Sequence, residues 1–331
     1  MTGPVRWGFL GAGAIARDAL APAVHAADRA VLRAAAARDP ARAAGLEPTG
    51  SVHADYAALC DDPTIDVVYV ALANDAHLTW TLRALAAGKH VLCEKPLGLS
   101  AGEVIRMARA ADAAGCLLVE ASWYRWHPRT RRAEELLASG AIGDGRREVI
   151  AEFVFDGVPA GNYRLDPVMG GGALHDVGCY AVSAAHWALG ESRRPLAVID
   201  VAAELGASGI DLTTAATLAA PCGRAVVRSS FVEPPHQRVL VSTPTGSVEL
   251  VDAAFTSLRA GSALRVTLGP AGERIERFGP VDPYRLMVEA VSARVRHEEA
   301  YVVPVEESVA IAGTIDAIRA RWPAGAAQVV P

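Results

Sequence analysis

The sequence has no run of about 18 uncharged apolar residues, the length a membrane-spanning helix needs, and no cluster of Lys and Arg to neutralise a nucleic-acid backbone. Its formal net charge is -5, built from interspersed acids and bases. Neither a membrane nor a nucleic acid is therefore expected as a partner. Residues 1–6 carry no apolar signal region, so a cytoplasmic location is the expectation. Cysteine is scarce as well. Cys60, Cys93, Cys116, Cys179 and Cys222 are scattered, odd in number and without a C-x-x-C pair, which argues against a disulfide framework or a zinc cluster. His53, His77 and His90 lack H-E-x-x-H or comparable spacing, so no metal site is expected.

What is present is the composition of an ordinary globular enzyme. With 51% apolar and 21% charged residues, a packed globule is expected rather than a disordered or fibrous chain. The 331 residues suffice for two domains. Residues 5–10 form a short apolar run ending in glycines, followed by a helical stretch over 14–26 that Pro22 weakens. Residues 31–37 are rich in alanine, yet their place one helix after the first strand argues for a second parallel strand. The clearest buried strand is 67–72, a continuous β-branched and apolar run. A helix over 77–87, a strand over 90–93, a helix running from Ser100-Ala101-Gly102-Glu103 to about residue 114, and a strand over 116–119 complete a doubly wound parallel sheet. Beyond about residue 121 the pattern changes. After a helix over 129–139, strands are expected at 146–155, 197–205, 211–219, 224–232, 238–243 and 247–251, with late helices at 283–297 and 306–321. The fold expected is thus an α/β Rossmann domain over 1–121, then an α+β domain over 122–331 with a large, mostly antiparallel, open-faced sheet. The last helix is expected to pack back on the first domain.

Four stations carry chemistry. Gly11-Ala12-Gly13-Ala14-Ile15-Ala16 follows the first strand and opens the first helix, where glycines let backbone approach a pyrophosphate and the helix N-terminus attracts its charge. The alternative is an incidental glycine turn. Ala37-Arg38-Asp39 stands where an acid for the ribose hydroxyls is usual, and a guanidinium there suits a 2′-phosphate. Asp39 as the ribose acid after a register shift, with Arg38 merely solvated, stays open. Glu94-Lys95-Pro96 lies at a strand's carboxyl end, where Lys95 has the position to stabilise a reacting oxygen, although a lone lysine is often just solvated. Gly170-Gly171-Gly172 leads into a helix that spaces Asp176 and Tyr180 at i and i+4 on one face. Tyr180 there is either a proton-exchanging phenol, aided by a nearby cation such as Lys95, or a core tyrosine satisfied by Asp176.

In this order the four stations resemble the Gfo/Idh/MocA oxidoreductase family over nearly the whole chain. The segments 120–128 (EASWYRWHP), 162–167 (NYRLDP) and 282–287 (DPYRLM) resemble the branch containing dimeric dihydrodiol dehydrogenase and NADP-dependent D-xylose dehydrogenase. The resemblance implies that Lys95 lies beside the nicotinamide, that Asn74, His77 and Glu94 line the cofactor site, and that a cis peptide precedes Pro96. It also implies that Asp176 and Tyr180 act on substrate, with Trp123, Arg125 and Tyr163 at the pocket. His175 departs from the family pattern, which favours an apolar residue there; it is either bonded to backbone or a pocket residue. The implied activity is hydride transfer between a nicotinamide, NADP(H) preferred and NAD(H) possible, and a carbinol or ketone carbon of a sugar, cyclic polyol or nucleotide-linked ketosugar. A redox-neutral enzyme that retains NAD, or a non-catalytic dinucleotide-binding protein, are the alternatives. An open apolar sheet face implies a homodimer or homotetramer.

Overall fold

The computed structural model describes residues 3–251, 253–256, 259–269 and 272–322. They fall into two units. The first comprises the chain up to Gly98, Gly102–Trp126 and Asp282–Ser308; the second comprises Leu99–Ala101, His127–Val281 and the chain from Val309 onward.

In the first unit, β1 (Val5–Leu10), β2 (Ala30–Ala36), β3 (Ser51–His53), β4 (Val67–Val70), β5 (His90–Cys93) and β6 (Leu118–Glu120) form one sheet in the order β3-β2-β1-β4-β5-β6. Every strand pairing in it is parallel. All four residues of β4 are buried, as a strand covered on both faces requires. The strand order reverses direction between β1 and β4, and ligands bind outside the carboxyl ends of strands at such a switch point. Pro22 does not break the first helix. A wide π turn over Ala16–Leu20 precedes it, so the proline falls in the first turn of the α segment Ala21–Ala26, where its missing N–H does least harm. Two short helices escape the sequence pattern, Pro40–Ala44 and Tyr56–Asp61; Asp39 and Asp55 cap their N-termini. Helix Pro283–Val295 also belongs to this unit, where Trp7 Nε1 donates to Ser292 Oγ at 3.1 Å. Of the last helix, expected to pack on the first domain, the first turn with Glu307 and Ser308 also belongs to this unit. The last helix, Val305–Arg319, lies mostly in the second, where Thr314 Oγ1 is 2.9 Å from His186 Nε2.

The second unit holds β7 (Arg147–Val154), β8 (Ala197–Leu205), β9 (Asp211–Ala220), β10 (Gly223–Ser230), β11 (His236–Ser242), β12 (Gly246–Val251), β13 (Ser262–Leu268) and β14 (Glu273–Phe278) in the order β14-β13-β12-β11-β7-β10-β9-β8. The pairing is antiparallel except between β7 and β10. Alternation along β10, with Ala225 and Val227 buried while Arg224 and Val226 are exposed, gives one face to the core and the other to solvent. That outer face is not mostly apolar, contrary to expectation. Ile199 and Val226 share it with cross-strand ion pairs, Arg224 with Glu148 and both Arg238 and Arg265 with Glu249. Among the described residues no helix is long and apolar enough to cross a membrane, and no group of His, Cys, Asp or Glu has metal-binding geometry.

Candidate active site

Each unit gathers its own set of the residues singled out by sequence. In the first, the carboxyl ends of β1, β2, β4 and β5 come together: Gly11 N–H donates to the Ala36 carbonyl at 2.9 Å, Ala71 N–H to Leu10 at 2.8 Å, and Glu94 N–H to Val70 at 3.0 Å. Gly11 has φ +98°, and a Cβ there would overlap the Ala71 carbonyl, so the turn itself demands glycine. Gly13 is a different case. A Cβ at Gly13 would meet nothing within 4 Å, so the protein's own packing does not require glycine there. With Ala14 exposed and Gly13 and Ile15 half-exposed, this leaves an open backbone cradle at the head of a helix, which fits a pyrophosphate. Ala37 is buried beneath this edge and Arg38 is exposed. Asp39 is occupied otherwise, because its Oδ1 accepts from Ala41 N–H at 2.9 Å as the cap of Pro40–Ala44. The same short helix carries Arg42, whose guanidinium donates to the Ala12 carbonyl at 2.8 Å and ties the glycine turn to the Arg38 segment. Sequence reasoning missed Arg42; its position four residues after Arg38 was the available signal.

Glu94 and His77 are less exposed than a cofactor-lining role implies. His77 is fully buried: Nδ1 lies 2.9 Å from the Pro96 carbonyl and Nε2 3.2 Å from the Leu72 carbonyl, and burial pushes its pKa down. It stitches the loop after β4 to the Lys95-Pro96 loop, whose peptide is cis. Glu94 accepts from Tyr69 Oη at 2.5 Å, and burial pushes its carboxyl pKa up. Glu120 is a second buried carboxyl with a raised pKa; it accepts from Leu97 N–H at 2.9 Å and from Ser308 Oγ at 2.6 Å. Lys95, half-exposed, acts electrostatically on Glu94, Glu120 and His77. Asn74 is buried at the start of the short helical turn Asn74–Ala76. Trp123 and Arg125, expected at the substrate pocket, pack into this unit's interior. The Trp123 ring stacks on Tyr284 with centroids 5.0 Å apart, and Arg125, 3% exposed, is ion-paired to Glu307.

In the second unit, the Gly170-Gly171-Gly172 loop is not the flexible entry its composition suggests. A Cβ on Gly171 would overlap the Arg164 carbonyl, and one on Gly172, at φ +114°, would overlap Asp211 Oδ1. Backbone bonds close the junction, from Gly171 N–H to the Asp166 carbonyl and from Gly172 N–H to the Arg164 carbonyl, both at 2.9 Å. Asp211 Oδ2 then accepts from Leu174 N–H at 2.7 Å and Thr214 Oγ1 at 2.8 Å, fixing the start of the next helix. Gly172→Ala is accordingly expected to destabilise the fold by more than about 2 kcal/mol, from strain at φ > 0 plus displacement of a buried carboxylate. Chemical denaturation checks this, and wild-type stability would count against the tight junction.

That helix begins with a π turn, Leu174–Gly178, before the α segment Cys179–Leu189. Asp176 and Tyr180 are both buried, and Asp176 Oδ2 accepts from Arg164 Nε at 2.7 Å. The Tyr180 ring packs against Phe153 and Phe255, its centroid 5.6 Å from each, and those two rings stack on one another 5.7 Å apart. Tyr163 sits under the Arg164 guanidinium, 4.8 Å from its ring centroid. His175 is 5% exposed and interacts with the Gly170 and Gly171 backbone; burial and Arg319 hold its pKa down at about 4. It is therefore a neutral, backbone-bonded histidine at pH 7. Burial likewise holds His127 at about 4.

These two values set a pH dependence. A histidine whose folded pKa is depressed takes up protons more readily unfolded, so its contribution falls as pH drops from 6.5 towards 4. The raised pKa values of Glu94, Glu120 and Asp211 act in the opposite direction, which makes a single-residue comparison the clean one. Between pH 7 and 4.5, His175→Asn is expected to lose about 2 kcal/mol less stability than wild type. Identical losses in denaturant titrations would contradict the assignment.

Residues 5–122 match the Gfo/Idh/MocA oxidoreductase family with its NAD-binding Rossmann fold, and residues 130–249 match a Gfo/Idh/MocA C-terminal domain. The chain is 38% identical to a D-xylose 1-dehydrogenase (NADP(+)) of Haloferax volcanii, with 97% of this chain and 98% of that protein covered. It is 35% identical to mouse trans-1,2-dihydrobenzene-1,2-diol dehydrogenase over 69% of this chain and 67% of the other. Among solved structures, a 3-ketoreductase from Actinomadura kijaniata in complex with NADP and TDP-benzene superposes with a TM-score of 0.87 at 26% identity, covering 97% and 98% of the two chains. That ketoreductase has also been solved with a lysine replaced by Ala or Glu and with a tyrosine replaced by Phe. With the strand order, the open glycine cradle and the Lys95 and Tyr180 stations in place, these matches establish that the chain belongs to the Gfo/Idh/MocA oxidoreductase family.

Proposed function

We propose that the protein is an NADP(H)-dependent oxidoreductase acting on a carbinol or ketone carbon of a sugar or polyol. The observation that carries this reading is the head of the second unit's site, where Tyr180 and the Arg164–Asp176 pair are fixed by rigid packing at the start of one helix. A phenol and a carboxylate held this way suit proton exchange with a hydroxyl and orientation of its neighbours.

The glycine cradle and Arg38 would hold the dinucleotide, and the nicotinamide would accept or deliver the hydride. Tyr180 takes the proton from the carbinol oxygen in oxidation and returns it in reduction. Lys95 would stabilise negative charge developing on a reacting oxygen. Asp176 accepts from substrate hydroxyls. A lysine and a tyrosine are also the residue types altered in the solved ketoreductase variants, and the D-xylose dehydrogenase relative is named for NADP(+). The test is a panel of aldoses, polyols and ketosugars with both cofactors in both directions, followed at 340 nm. Turnover of at least one member, faster with NADP(H), is expected; NADPH binding without any turnover would favour a non-catalytic role.

We also infer that a second copy docks on the open sheet face, where the exposed Ile199 and Val226 offer apolar contact. Light scattering at micromolar concentration is expected to give a dimer or tetramer, and a monomer would refute the inference.

A further inference from the structure

We propose that Arg164 is a substrate-positioning residue, holding Asp176 through one edge of its guanidinium while its terminal nitrogens bind the hydroxyl next to the reacting carbon of a neutral sugar or polyol. This rests on the function proposed above and deepens it. Arg164 lies in the short turn Tyr163–Leu165, where Asn162 Oδ1 accepts its backbone N–H at 3.0 Å. Its own carbonyl anchors Gly172, so the residue cannot drift from the helix bearing Asp176 and Tyr180. The side chain is two-thirds enclosed, at 32% exposure, which is unusual for an arginine with one carboxylate partner.

Nε is spent on Asp176, and the guanidinium face lies on the Tyr163 ring. Among the described residues, the two terminal nitrogens have no hydrogen-bond acceptor. Burial pulls the arginine pKa down, but Asp176, Tyr163 and Tyr180 together bring it above the ordinary value; the charge is kept, and it is felt at the proposed acid-base group. Arg164 and Asp176 sum to zero charge, so the pair offers donors and acceptors without an excess field. That combination suits vicinal hydroxyls better than a phosphate or carboxylate. The tight glycine junction gains a purpose as well: only glycine at 171 and 172 lets the Arg164 turn and Asp211 approach the helix start together.

The experiment compares wild type, Arg164→Met and Arg164→Lys with D-xylose and D-glucose and with their 2-deoxy analogues. Binding to the enzyme–NADPH complex is read by nicotinamide fluorescence alongside steady-state kinetics. A charge-assisted bond of about 1.5 to 3 kcal/mol corresponds to a roughly 10- to 150-fold effect. Arg164→Met is expected to raise KM for the parent sugars by that order, to erase discrimination against the deoxy analogues, and to leave NADPH affinity unchanged. Arg164→Lys should recover part of the loss, and it serves as the test variant should the Met protein not fold. Wild-type KM and intact deoxy discrimination in either folded variant would overturn the proposal, as would a fall in kcat alone. Wild-type enzyme that neither binds nor turns over these sugars, while turning over none of the wider panel, would end the functional reading itself and this proposal with it.

Discussion

Tyr180→Phe is expected to lower turnover by roughly 10²-fold or more, the usual scale of losing general acid-base help. The ring is held by Phe153 and Phe255, so removing the hydroxyl leaves packing intact, and both the fold and NADPH affinity should change little. Lys95→Ala is expected to produce a loss of the same order, because the ammonium that stabilises the developing alkoxide is gone. Lys95 also lowers the pKa values of Glu94 and Glu120 against their burial, so its removal should raise both carboxyls further and move the acid side of the pH profile, a shift that Tyr180→Phe would not produce. Steady-state kinetics at saturating NADP(H) between pH 6 and 10 measures both. Near wild-type turnover by Tyr180→Phe would remove it from the mechanism and leave Asp176, with its Arg164 partner, as the remaining polar pair at that helix head.

Arg38→Ala is expected to weaken NADPH binding by roughly 10- to 150-fold, the equivalent of about 1.5 to 3 kcal/mol for one charge-assisted contact to the 2′-phosphate. NADH affinity should stay nearly constant, having no phosphate to lose. The competing assignment made Asp39 a ribose ligand, but its carboxylate already caps the helix Pro40–Ala44. Arg42, bound to the Ala12 carbonyl, holds that helix against the glycine turn and keeps Arg38 at the same edge. Fluorescence titrations of both cofactors into both proteins at fixed ionic strength decide the matter, since salt weakens an exposed phosphate contact. A wild type that prefers NADH would contradict the assignment.

The parallel sheet was legible because its strands are buried on both faces: runs such as Val67–Val70 have no polar positions to obscure them. The outer strands of the second sheet were harder. Ser262–Leu268 and Glu273–Phe278 interrupt their apolar residues with Arg265, Arg274 and Glu276, so that they resemble a loop in sequence, and the pairing of Arg265 with Glu249 and of Arg274 with Glu276 shows only in the structure. Ser51–His53 was too short to show a period. At the site, residue types were readable from local motifs, while partners were not. The family resemblance implies His77 at the cofactor site, while nothing in sequence shows that the Pro96 carbonyl arrives at its ring. The Arg164–Asp176 pair spans a glycine loop whose closure depends on Asp211, a residue 35 positions beyond Asp176 that no motif marks. Arg125, implied at the pocket by the resemblance, pairs with Glu307, a distant partner that no motif marks.

The central claim is net hydride transfer from a sugar carbon to an exchangeable nicotinamide. The most direct measurement incubates the enzyme with NADP+ and the sugar that the substrate panel identifies, deuterated at its reacting carbon, then weighs the cofactor and the sugar product by mass spectrometry. The account predicts NADPH heavier by one deuterium, released into solution in step with an oxidised sugar that has lost it. Deuterium retained in a redox-neutral sugar product, with no labelled NADPH in solution, would contradict it.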